Sequence, residues 1–222
     1  MNAIPHPRSR GFSLLEVLIT MLIVSVGLMG LASLLARVQV AELEAYQRSQ
    51  ALILLSDIVE RLNVNRKTLP CFRFTTNLTN GTPYIGATGS GWALPTGCAF
   101  STSVYNVQAD ATLSALNSQL QGLAETKTGA ATGSGAMIGA RACISYDAST
   151  ELPDSLGASI ANTGLYTITV AWQGMVATAA PAAACANGLY GSVSQRRAVS
   201  TTIRFASLTA AGLQRSEGAP WL

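Results

Sequence analysis

The strongest constraint on this chain is an apolar run that begins directly after a lone carboxylate. The twenty residues from Val17 to Ala36 contain no charged side chain. A helix needs about 20 such residues to cross a hydrocarbon core. Glu16 precedes the run, and Arg8 and Arg10 lie in a short basic leader upstream. A carboxylate at bilayer depth costs about 2.5–3.5 kcal/mol on insertion scales, so it is usually partnered. Close to a helix end, Glu16 also has the option of reaching the interface. A secretory signal peptide has the opposite order, with its apolar core before the cleavage site.

The stretch Gly11-Phe12-Ser13-Leu14-Leu15-Glu16-Val17, with the basic leader and the uninterrupted apolar segment, resembles the class III signal of type IV pilins and pseudopilins. The resemblance implies cleavage between Gly11 and Phe12 by a prepilin peptidase, followed by N-methylation of Phe12. It also implies an assembly role for Glu16, whose carboxylate would meet the Phe12 amine of a neighbouring subunit. In a low-dielectric filament core that attraction favours one axial register. A plain single-span anchor is the alternative. Many pilins carry a proline further along; this chain has Gly27, Gly30 and Ser33 there. The two glycines fit either local melting on assembly or close helix packing by small residues.

The helical pattern continues past the apolar run. Val40, Leu43, Leu54, Leu55, Ile58, Val59 and Leu62 recur at three- and four-residue spacing up to about Asn65. Glu44 with Arg48, and Asp57 with Arg61, are spaced as i,i+4 ion pairs with the acid first. We expect one helix from Phe12 to about Asn65, stopped by Pro70.

Composition narrows the chemistry. The only histidine of the 222 residues, His6, lies in the leader. That weighs against histidine acid–base chemistry and most transition-metal sites. Loss of Arg8 and Arg10 would leave 12 basic and 11 acidic side chains, which is no electrostatic footprint for nucleic acid. Ser/Asp pairs without a histidine or a nucleophile elbow make no catalytic case, so no enzyme and no cofactor are expected.

The cysteines are Cys71, Cys98, Cys143 and Cys185, none in a C-x-x-C motif. An even number beyond a membrane span fits disulfides in an oxidising periplasm. Three connectivities are open, with free buried thiols as the alternative. We favour Cys71–Cys98 and Cys143–Cys185, each closing one local loop region.

Residues 71–100 are rich in Thr, Gly, Asn and Pro and read as a loop, anchored by Tyr84, Trp92 and Phe100. The sequons at Asn77 and Asn80 read as accidents of that composition. Asp110 is placed to cap a short helix to about Glu125, with Leu113, Leu116, Leu120 and Leu123 as its stripe. The Gly/Ala/Thr/Ser-rich stretch 127–140 reads as a loop. Strands are expected at Arg141–Asp147, Leu165–Gln173 and Val193–Ala206, the last two with clear alternation. Arg196, Arg197 and Arg204 read as a solvated strand face rather than a DNA-binding patch.

The fold expected is α+β. A long N-terminal helix, membrane-spanning in its first half, packs on an antiparallel sheet, as in type IV pilins. The divisions are a leader (1–11), a transmembrane or filament-core helix (12–36) and a periplasmic head (37–222). The head comprises an amphipathic half-helix (37–65), a loop region with a short helix (66–140) and the sheet (141–222). Leu14-Leu15-Glu16-Val17-Leu18, Gly27-Leu28-Met29-Gly30-Leu31, the Tyr166-x-Ile168-x-Val170-x-Trp172 strand and Arg196-Arg197 are similar to the PilV family of minor pilins. That similarity implies a part in initiating pilus assembly, in a tip complex. Implied partners are other minor pilins, the major pilin, the prepilin peptidase and the inner membrane, with a tip adhesin as a further candidate. The implied location is the inner membrane before assembly and the pilus after it. The alternatives are a minor pseudopilin of type II secretion and a tip adhesin or ligand-binding subunit using loops 71–100 and 127–140.

Overall fold

The computed structural model describes residues 11–86, 97–122 and 137–206. The chain divides into two compact units, Met1–Leu43 and Glu44–Leu222. One helix, α1 (Leu14–Val64), carries residues of both. It starts at Ser13, whose carbonyl accepts from Glu16 N at 3.0 Å and Val17 N at 3.3 Å. The Ser13 hydroxyl accepts from Leu15 N at 3.3 Å, a serine in the capping role that satisfies an otherwise orphaned helix donor.

In the first unit every apolar side chain from Phe12 to Leu35 that is large is exposed. The hydroxyls in the run are satisfied locally: Thr20 donates to Val17 O and Ser25 to Met21 O. The helix passes unbroken through Gly27 and Gly30, and a Cβ at either would meet nothing within 4 Å.

In the second unit α1 buries Gln47, Ala51, Leu55, Ile58 and Leu62, one stripe at three- and four-residue spacing. Ile58 and Leu62 are fully buried, each contributing about 1.5–3 kcal/mol of apolar burial. The expected stripe gains Gln47 and Ala51, while Leu43 is exposed. The helix ends at Val64, before Pro70. Asn65 turns the chain: its backbone N–H and side-chain amide both donate to Arg61 O. Pro70 sits instead in a one-turn 3-10 helix, Leu69–Phe72.

Helix α2 spans Ser103–Leu120 and buries Ala109, Leu113, Leu116 and Leu120. Asp110 lies inside it and does not cap it. Its carboxylate accepts instead from Gly97 N and Cys98 N, tying the preceding loop to the helix. The expected extension to Glu125, the loop 127–136 and the anchor Trp92 lie outside the described residues. Tyr84 is buried, whereas Phe100 is exposed.

Three antiparallel strands follow: β1 (Arg141–Asp147), β2 (Leu165–Gln173) and β3 (Arg196–Arg204), in spatial order β1-β2-β3. Strand β3 is shorter than the expected Val193–Ala206, because Val193–Gln195 forms a 3-10 turn. Ile144 pairs with Ile168, and Ile168 with Thr201, so the apolar positions share one face. Ile144, Tyr166, Ile168, Val170 and Trp172 from that face join the α1 stripe, the α2 stripe, Leu69 and Phe72 in one core. The opposite face carries a smaller cluster of Cys143, Ala171, Cys185, Ala186, Tyr84 and Tyr190. This is the α+β arrangement expected, a long apolar N-terminal helix with an antiparallel three-stranded sheet.

Candidate processing and assembly segment

Gly11, Phe12 and Ser13 precede the first helical turn and are exposed. The Gly11–Phe12 peptide is therefore not engaged in the helix, and among the described residues nothing lies within 4 Å of a Cβ built on Gly11. Phe12 is 85% exposed and begins an apolar surface that has no cover among the described residues. Glu16 occupies the first turn of α1 and is also exposed. A negative charge there is favoured by the partial positive charge of the helix N-terminus, by about 0.3–1 kcal/mol at an exposed site. Ser13 and Glu16 stand in the S-x-x-E spacing of a capping box, a local signal that pattern reading of the segment passed over. Helix α1 is long and apolar enough to cross a membrane, and its most apolar stretch is not buried.

The cysteines lie in the second unit. Cys71 is bonded to Cys98 and Cys143 to Cys185, with Cα separations of 5.5 and 5.7 Å. The second bond fastens the β2–β3 connection to the sheet. Other groups fasten it too. Arg196 is not solvated: it is 4% exposed and donates to Ala183 O, Cys185 O and Pro181 O. Burial holds its pKa below the usual guanidinium value. The Tyr190 hydroxyl donates to Gly139 O at 2.8 Å and bridges to Ala171 O at 3.2 Å. Burial pushes that phenol's pKa up.

At the start of the connection, Glu44 accepts from Met175 N, Val176 N and Arg197 Nη2. The expected local pair with Arg48 gives way to this tertiary one, because the carboxylate meets two backbone donors as well as a guanidinium. Asp57 and Arg61 do form their i,i+4 pair, at 2.9 Å. Arg204 alone of the three strand arginines is exposed, donating to Thr163 O.

The decisive observation concerns the N-terminal segment. Residues 6–32 match the prokaryotic N-terminal methylation motif. The match takes in Gly11, Phe12 and Glu16 and supports the type IV pilin and pseudopilin superfamily. The motif implies processing by a prepilin peptidase and assembly with other pilins. It fits a chain anchored by one apolar N-terminal helix, with a pilus-associated head. No curated protein and no solved structure matches the chain.

Proposed function

We propose that the chain is a minor pilin of a type IV pilus, PilV-like, that takes part in starting assembly and belongs to a tip complex. It is cut between Gly11 and Phe12, methylated on Phe12 and held in the inner membrane by α1 until assembly. The observation that carries this reading is the methylation motif at the head of a helix whose large apolar side chains up to Leu35 are all exposed. In water such a surface is unstable; a membrane or the like helices of other subunits would cover it. Glu16 would pair with the Phe12 amine of a neighbour, an attraction strengthened by exclusion of water.

Mass spectrometry of sheared filaments and of membranes from the same cells tests it. An N-methylated Phe12 peptide in the sheared fraction supports a filament subunit. A chain beginning at Met1 in both fractions would overturn the reading. The motif is shared with pseudopilins of type II secretion, which is the second reading. Deletion that abolishes secretion and spares pili would select it.

A further inference from the structure

The two edges of the sheet are treated differently. The β1 edge is covered by the chain itself. Ile85 and Ala142 exchange backbone hydrogen bonds at 2.9 and 3.0 Å, and Thr75 N donates to Ile144 O. Ile144 N in turn donates to the Thr75 hydroxyl. Arg196 N at the start of β3 donates to Val193 O, but among the described residues no backbone hydrogen bond reaches residues 198–203 from any segment except β2. Natural sheets blunt open edges with lysine, proline or a bulge. Strand β3 has charges only at its ends, Arg196, Arg197 and Arg204; between them Ala198-Val199-Ser200-Thr201-Thr202-Ile203 is uncharged, has no proline and pairs with β2 without interruption. At about 3.4 Å per residue this is roughly 20 Å of open ladder.

Beside the first part of that edge lies a groove of about 470 Å³, lined by Glu44, Arg48, Trp172, Thr178, Ala198 and Val199 among others. Its charges are unequal. Glu44 is paired with Arg197 and accepts from two backbone donors, all on Oε1. Arg48 is exposed and has no acidic partner among the described residues. The groove therefore presents one uncompensated guanidinium next to an unpaired strand.

We propose that the β3 edge accepts an extended, acidic segment of another polypeptide chain, which adds a strand to the sheet and sets a carboxylate on Arg48. The backbone ladder would supply affinity and the Arg48 contact would supply preference. The inference needs only the geometry of the Glu44–Leu222 unit and goes beyond the pilin reading.

The test uses the full chain in detergent micelles and two fluorescent synthetic peptides of alternating Thr and Val, one with a central Glu and one with a central Lys. Anisotropy should show the Glu peptide binding about tenfold more tightly, with Arg48→Glu reversing the preference. Hydrogen exchange should show the bound peptide protecting amides of residues 198–203 and not those of β1. Binding by neither peptide, a preference unchanged in Arg48→Glu, or protection outside β3 would overturn the proposal. So would β3 amides protected without peptide and released by a stop codon after Ala206, since the chain's own end would then occupy the edge.

Discussion

Glu44 and Arg197 stand 153 positions apart in the chain and meet at 3.0 Å. Their side chains are 23% and 15% exposed, against 32% and 33% for Asp57 and Arg61. The first pair is also tied to Met175 N and Val176 N, so losing the carboxylate removes three hydrogen bonds at once. Glu44→Ala should lower the stability of the Glu44–Leu222 unit by about 1–3 kcal/mol. Asp57→Ala should cost less, about 0–1 kcal/mol, and its effect should fade in salt. Urea denaturation of the two variants at low and high salt checks both expectations.

Tyr166 is fully buried, and its hydroxyl has no hydrogen-bond partner among the described residues. Its ring packs against Tyr146 at 4.7 Å and Phe205 at 5.6 Å. Tyr166→Phe keeps that packing and removes the orphaned hydroxyl. The variant should be as stable as the parent at neutral pH, or more stable by up to about 1–2 kcal/mol.

The same residue sets an alkaline limit. Burial, then the neighbouring Tyr146, raises the Tyr166 phenol pKa above its ordinary 10.0. Folding therefore favours the neutral phenol, and the unfolded chain releases this proton at lower pH. The stabilisation is complete below about pH 10 and declines as pH rises beyond it. Tyr190 acts in the same direction. Denaturation at neutral pH and near pH 11 should show a steeper loss in the parent than in Tyr166→Phe.

The disulfides should yield to reductant in order. Cys143 and Cys185 are 4% and 3% exposed, whereas Cys71 and Cys98 are half-buried. Mild reduction followed by alkylation should label Cys71 and Cys98 first. Closing separations of 27 and 42 residues is worth about 3–4 kcal/mol each in the chain-entropy model. Mapping labelled peptides over time distinguishes this order from simultaneous reduction.

Glu16→Ala should leave cleavage between Gly11 and Phe12 intact and deplete the protein from sheared filaments. The side chain lies in the first turn of α1, after the bond to be cut, and is exposed. Glu16→Gln, which keeps size and removes charge, should show the same loss. Normal entry of either variant into filaments would remove the assembly role.

The sequence made the periodic elements legible. Both clear strands were readable because alternation places Tyr166, Ile168, Val170 and Trp172 on one face. The α1 stripe was readable from Leu55, Ile58 and Leu62, but Gln47 was hidden by its polarity. Positions decided by partners distant in sequence were not readable. Local spacing gave Glu44 to Arg48, whereas the folded chain offers Arg197 and two amides at once. Asp110 looked like a cap from its place before an apolar stripe, yet Ser103 begins the helix and Asp110 restrains Gly97 and Cys98. The processing segment was legible for the opposite reason: its motif is local, and residues 6–32 carry it unaided.

The β2–β3 connection is attached by a carboxylate at Met175 and Val176, by a guanidinium at Pro181, Ala183 and Cys185, by a covalent bond at Cys185 and by a phenol at Tyr190. These attachments share no common mode of failure. Reductant attacks the third and strong alkali the fourth, while the guanidinium–carbonyl contacts respond to neither. No one reagent removes all of the points that hold the connection.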